Sequence, residues 1–122
     1  MNRIRCISAL LACLTVSSSF CEAADEDVAI DFSRDVLPIL SNKCFVCHGP
    51  DAAEVGEDML RLDSFEAASA DRDGQQAIDP DQPANSILLQ RIRSTDDPMP
   101  PAAAEKQLTD NDREILSRWV KA

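Results

Sequence analysis

Cys44-Phe45-Val46-Cys47-His48 is the stretch of this 122-residue chain that decides how the rest is read. C-x-x-C-H is the attachment signature of a c-type haem. Two thiols at this spacing can add to the two vinyl groups of one porphyrin. The adjacent histidine then lies against one face of the ring, where its imidazole reaches iron as the proximal ligand. His48 is the single histidine of the chain, so no second imidazole can come from it. A metal-bound histidine normally anchors its other ring nitrogen on an outer partner, and a carbonyl is expected in that place.

Toward the N-terminus, Arg3 and Arg5 precede an apolar stretch from Ile7 to Val16, and Cys21-Glu22-Ala23 follows. A basic start, a short apolar run and a small-x-small site make a secretory signal peptide. The expected organisation is a signal peptide over 1–23, an acidic leader over 24–30 and a domain over 31–122. The mature protein is expected in the periplasm or another extracytoplasmic space. Cleavage removes Cys6, Cys13 and Cys21 and leaves only Cys44 and Cys47. That weakens the rival readings of the motif. Structural zinc and iron–sulfur sites usually take four Cys or His ligands. A thioredoxin-like pair expects a βαβ context, for which the sequence has no pattern. Any Ser/His/Asp set would have to take His48.

The net charge of −10 speaks against nucleic acid as a partner. An acidic surface can steer a basic redox partner, although solubility alone also accounts for it. Aromatic residues are scarce, and a small exported domain has a limited core. A covalently bound macrocycle would add apolar mass.

The remaining segments read as helices joined by loops. Phe32 to Asn42 is predicted helical, capped by Ser33, with Phe32, Val36, Leu37 and Leu40 inward and Pro38 in the first turn or at a bend. Gly49-Pro50 opens a loop over 49–58. Ser64 caps a short helix to Ala70. Residues 71–84, with Gly74, Pro80 and Pro83, read as an irregular connection. Asp71-Arg72-Asp73-Gly74 imitates part of a calcium loop, but Ser69 and Pro80 would fall at its first and last ligand positions. An acidic turn is the simpler reading. Ser86 to Ser94 is predicted helical, with Ile87, Leu88, Leu89 and Ile92 inward. A last helix starts at Thr109, capped together with Asp112, and aligns Ile115, Leu116, Trp119 and Val120. Trp119 is expected to pack it against the first helix. The fold class is all-α.

Pro98, Pro100 and Pro101 stiffen the backbone around Met99. Such a turn can cross the far face of a haem and present a thioether to iron, which raises the reduction potential. Met99 is therefore the expected sixth ligand, with Lys43 and Lys106 as outside candidates. Met59 reads as a packing residue. Arg61, Arg91 and Arg93 are candidates for the haem propionates.

Three groups of residues together resemble the Planctomycete-type cytochrome c domain. They are Phe32-Ser33-Arg34-Asp35-Val36-Leu37-Pro38-Ile39-Leu40, the motif through Gly49-Pro50-Asp51, and an ordered set further on. That set comprises Leu60-Arg61-Leu62-Asp63, Ser86-Ile87-Leu88, Met99-Pro100-Pro101, Leu108-Thr109 and the Trp119 helix. The resemblance covers about residues 31–122. It implies a small class I cytochrome c-like fold, with the first and last helices crossing beside one haem c. It also implies attachment at Cys44 and Cys47 and iron ligation by His48 and Met99. The expected function is single-electron transfer between redox proteins by an exported mono-haem c-type cytochrome domain, and not an enzymatic reaction. The alternative is a haem sensor or peroxidase-like domain with an open sixth site. In the family this module usually opens a much larger protein, so a free carrier and an N-terminal electron-transfer module are both consistent with the sequence.

Overall fold

The computed structural model describes residues 28–52 and 60–122. The signal peptide, most of the acidic leader, most of the loop over 49–58 and Met59 fall outside the described residues. Within them the elements are a π-helical turn (Phe32–Val36), α1 (Leu37–Lys43), α2 (Phe45–His48), α3 (Phe65–Ala68), a 3₁₀ turn (Pro83–Asn85), α4 (Ile87–Arg91) and α5 (Asp110–Lys121). Among the described residues there is no β-strand, and Arg72 and Gln75 form one isolated bridge. The domain is a small all-α unit of cytochrome c-like class. No helix among the described residues is long and apolar enough to cross a membrane.

The first helical segment begins differently from its sequence expectation. Asp31, not Ser33, caps it: Asp31 Oδ1 accepts the Arg34 N–H at 2.7 Å. Asp35 returns a carboxylate oxygen to the Asp31 N–H at 2.9 Å. A carboxylate is the stronger partner for unpaired N–H groups at a helix start. The Arg34 guanidinium holds the Asp35 carboxyl down at about 2, helped by the Asp31 backbone N–H. The turn is wide, with the Leu37 N–H donating to Phe32 O. Pro38 has no N–H to give to a preceding turn, and it sits in the first turn of α1 as expected.

A π turn holds more residues per turn than an α turn, so the inward stripe shifts. Val36, Ile39 and Leu40 are buried, whereas Phe32 and Leu37 are 41% and 37% exposed. The core joins these three residues to Leu62, Ile78, Leu88, Leu89, Ile92 and Leu116.

α5 crosses this first segment. Phe32 and Trp119 meet with ring centroids 5.5 Å apart, tilted by 43°, which places Trp119 in the packing role expected of it. Thr109 and Asp112 form the expected capping box: Thr109 Oγ1 accepts the Asp112 N–H at 3.1 Å, and Asp112 Oδ2 accepts the Thr109 N–H at 2.7 Å. Lys43 Nζ donates to the same Asp112 oxygen at 2.5 Å, so one carboxylate ties the end of α1 to the start of α5.

Ser64 caps α3 through the Ala67 N–H. The irregular stretch before α4 supplies that helix's missing acceptors. Gln76 O and Ala77 O take the Ile87 and Leu88 N–H groups at 3.0 Å each. Ser86 is fully buried, and its hydroxyl accepts the Asp79 N–H at 2.9 Å. Asp73 and Gly74 make the acidic turn with φ of 56° and 83°. Of the residues predicted inward on α4, Leu88, Leu89 and Ile92 are buried and Ile87 is half-buried.

Candidate functional site

The C-x-x-C-H motif is one helical turn set directly after α1. The Cys44 N–H still donates to Leu40 O at 2.8 Å, and Cys44 O in turn accepts the His48 N–H at 2.8 Å. Residues three apart on a helix share a face, so Cys44 and Cys47 lie side by side with His48 next to them. Both cysteines are free thiols. Burial pushes the Cys44 thiol up to about 11, against the pull of the Lys43 ammonium. A thiol so far from ionising is a poor candidate for thiol–disulfide chemistry.

The chain leaves this turn through Gly49, whose N–H donates to Phe45 O at 3.0 Å. A Cβ at this position would stand 2.4 Å from the same oxygen, so only glycine fits. Residues 60–62 lie across the histidine. The Leu62 N–H donates to His48 O at 2.7 Å, and His48 Nδ1 lies 2.8 Å from Leu60 O. A carbonyl only accepts, so Nδ1 carries the hydrogen and Nε2 keeps its lone pair for a metal. The carbonyl partner expected for His48 is thus Leu60. The sequence reading has Gly49 opening the loop after the motif; the close approach to Phe45 O that requires a glycine there emerges only from the fold.

These residues open on a largely apolar cavity of about 390 Å³. Lys43, Cys44, Val46, Cys47 and His48 form one wall, and Leu60 and Leu62 extend it. Ile87, Leu88, Arg91 and Ile92 from the α4 region form another, and Met99, Pro100, Pro101 and Ala104 complete the lining. All four predicted site residues therefore line one cavity. The Met99 N–H donates to Arg91 O at 3.0 Å, which ties the loop to the end of α4. The Met99–Pro100 peptide is cis.

The donor set suits a c-type haem. Two thiols and an imidazole with a free lone pair share one wall, a thioether lines another, and the surface between is apolar. The volume falls within the roughly 300–1,000 Å³ usual for cofactor sites. Among the described residues no group of three or more His, Cys, Asp or Glu side chains is placed to hold a metal ion.

The secondary candidates separate once their partners are known. Arg61 makes a two-pronged pair with Asp63, at 2.8 and 2.6 Å. Arg93 donates to the Ser117 hydroxyl at 2.7 Å. Lys106 donates to Asn42 Oδ1 at 2.6 Å, and Lys43, although it lines the cavity, gives Nζ to Asp112. Trp119 borders a different cavity, with Phe32 and Phe65. Arg91 lines the cavity of the motif, and its Nε is buried without a hydrogen-bond partner.

The family model of Planctomycete cytochrome C matches residues 44–103. Searches of curated proteins and of solved structures found no match. The matched span begins at the first cysteine of the motif and passes beyond Met99-Pro100-Pro101, so it contains every residue predicted for the site. The π turn and α1 before it, and α5 after it, pack into the same core. From Cys44 to Ala103 the chain is a Planctomycete-type cytochrome c domain.

Proposed function

We propose that this chain is an exported mono-haem c-type cytochrome that passes single electrons between redox proteins and catalyses no bond-making step. The observation that carries the reading is the shared cavity: Cys44, Cys47 and His48 on one wall and Met99 on another. When bound, haem supplies a one-electron Fe(III)/Fe(II) couple. Everything else falls to the chain. Cys44 and Cys47 would hold the haem covalently, each thiol adding across one vinyl group to give a C–S and a C–H bond with nothing expelled. Leu60 O orients His48 so that Nε2 is the ligating atom. Met99 offers a soft thioether from the proline-bound loop, which favours the reduced state relative to a nitrogen ligand. The apolar lining keeps water from the iron, and a drier site changes charge with less solvent reorganisation.

Val46, between the two cysteines, is 80% exposed. Val46 also lines the cavity, so the cavity reaches the surface there, where a partner could dock. The acidic balance of the chain favours a basic partner at low ionic strength. Export rests on the signal-peptide pattern of residues 1–23. Redox titration of the protein, produced together with haem-maturation machinery, tests the proposal. A reversible one-electron couple with a c-type spectrum is expected. A protein with no such couple would reject it.

A further inference from the structure

We propose that Gln107 is a positioning residue for Met99: its side-chain amide latches the loop behind the methionine and slows release of the thioether from iron. The proposal rests on the haem reading above, with Met99 as sixth ligand, and deepens it. The stretch from Pro98 to Pro101 has a single backbone N–H, that of Met99, because the other three residues are prolines. That N–H is spent on Arg91 O at 3.0 Å. Beyond Met99 the main chain of this stretch can be held only through its carbonyls, and those need donors from elsewhere.

Gln107 supplies such a donor. Its Nε2 donates to Pro101 O at 2.8 Å and to Ala104 O at 3.0 Å. An amide nitrogen carries two hydrogens, one for each carbonyl. The Ala104 N–H closes the same turn by donating to Pro101 O at 2.8 Å. Pro101 and Ala104 both line the cavity of the motif, so the latch acts on its wall. Gln107 is itself anchored on both sides. Leu108 is buried in the core, and Lys106 Nζ donates to Asn42 Oδ1, near the end of α1, at 2.6 Å. Met99 thus stands between two fixed points, Arg91 O before it and the Gln107 amide after it. The Gln107 side chain is exposed, so its loss loosens the loop without opening the core.

The test uses the haem-loaded full chain in its ferric form. Saturating imidazole is added, and its entry requires the bond from Met99 sulfur to iron to break. The far-red charge-transfer band of a methionine–ferric iron pair follows the exchange in stopped flow. Gln107→Leu and Gln107→Glu both remove the donors, and each should exchange about fivefold faster than wild type, the effect of losing hydrogen bonds of ordinary strength. Gln107→Lys returns a donor and should exchange close to the wild-type rate. Gln76→Leu is the control for general loosening: Gln76 Nε2 donates to Ser69 O at 2.7 Å, outside the cavity lining, and its loss should leave the rate unchanged. If Gln107→Leu fails to fold, Gln107→Glu carries the comparison. A band already lost in a Gln107 variant that keeps its haem supports the proposal as faster exchange does. Exchange at the wild-type rate without the donors overturns it, and so does an equal acceleration in Gln76→Leu. A wild-type ferric protein that lacks the band overturns the ligation reading beneath it instead.

Discussion

One wall of the cavity is a helical turn, Cys44 to His48; the wall bearing the sixth-ligand candidate is the proline-bound loop from Pro98 to Pro101. They are held by different means. The turn is fixed by backbone bonds four residues apart, from Cys44 to Leu40 and from His48 to Cys44. The loop cannot make such bonds, because three of its residues lack an N–H. It is held by the bond from the Met99 N–H to Arg91 O, by the Arg91–Asp97 ion pair just before it, and by Pro101 O, which accepts the Ala104 N–H and Gln107 Nε2. Under the proposed function the labour divides: the local wall would secure attachment, and the long-range wall would set the sixth ligand and with it the potential.

Met99→Ala separates the two walls most sharply. The motif wall is untouched, so covalent haem should remain. The loop wall loses its thioether, so the reduction potential should fall by about 0.1 V or more, within the ~0.8 V span that axial ligation governs. The reduced protein should also bind carbon monoxide rapidly. Voltammetry and stopped-flow mixing measure both. Unchanged potential and slow binding would remove Met99 from the site and leave the two walls independent.

Gly49→Ala attacks the motif wall from behind. Its Cβ would press on Phe45 O, a backbone atom of the motif turn itself. A destabilisation of about 2 kcal/mol or more is expected, in the range of strained backbone substitutions. Denaturant unfolding of the variant measures it, and a midpoint equal to wild type would show that the turn can yield.

The smallest effect concerns the joint between α1 and α5. Asp112 is half-buried, and burial alone would raise its carboxyl. The Lys43 ammonium and the Thr109 N–H and O–H overcome this and hold it below the usual carboxylate range. Because its folded value is lowered, Asp112 contributes stability above the ordinary carboxylate pKa and loses it as pH falls through the folded value. Asp112→Asn should therefore cost about 1 kcal/mol at neutral pH, and much less in acid. Urea midpoints at neutral and acid pH measure the difference; an equal cost at both would dissociate the joint from ionisation.

The same contrast explains what was legible in the sequence. Features carried by neighbouring residues were readable: the motif, the Thr109–Asp112 capping box, the Ser64 cap and the non-helical loop around Met99. The kind of partner His48 needs was also readable, but its identity as Leu60 was not. That depends on residues 60–62 lying over the motif, a contact between positions twelve apart. The first helix was misread at its start because Asp31 competes better than Ser33 for the free N–H groups. The resulting π turn then carried Phe32 and Leu37 off the inward stripe. Arg61, Arg91 and Arg93 look alike in sequence. They part only when Asp63, Ser117 and Asp97 come within reach, and two of those three pairings join segments separated along the chain or across a turn.

The central claim is that this fold holds one haem by thioether bonds from Cys44 and Cys47 on the turn that also presents His48. The most direct measurement is the intact mass, under denaturing conditions, of protein produced with haem-maturation machinery, beside a Cys44→Ala/Cys47→Ala control. The account predicts one haem retained per wild-type chain and none on the control. Two free thiols and no added mass on the wild-type chain would contradict it.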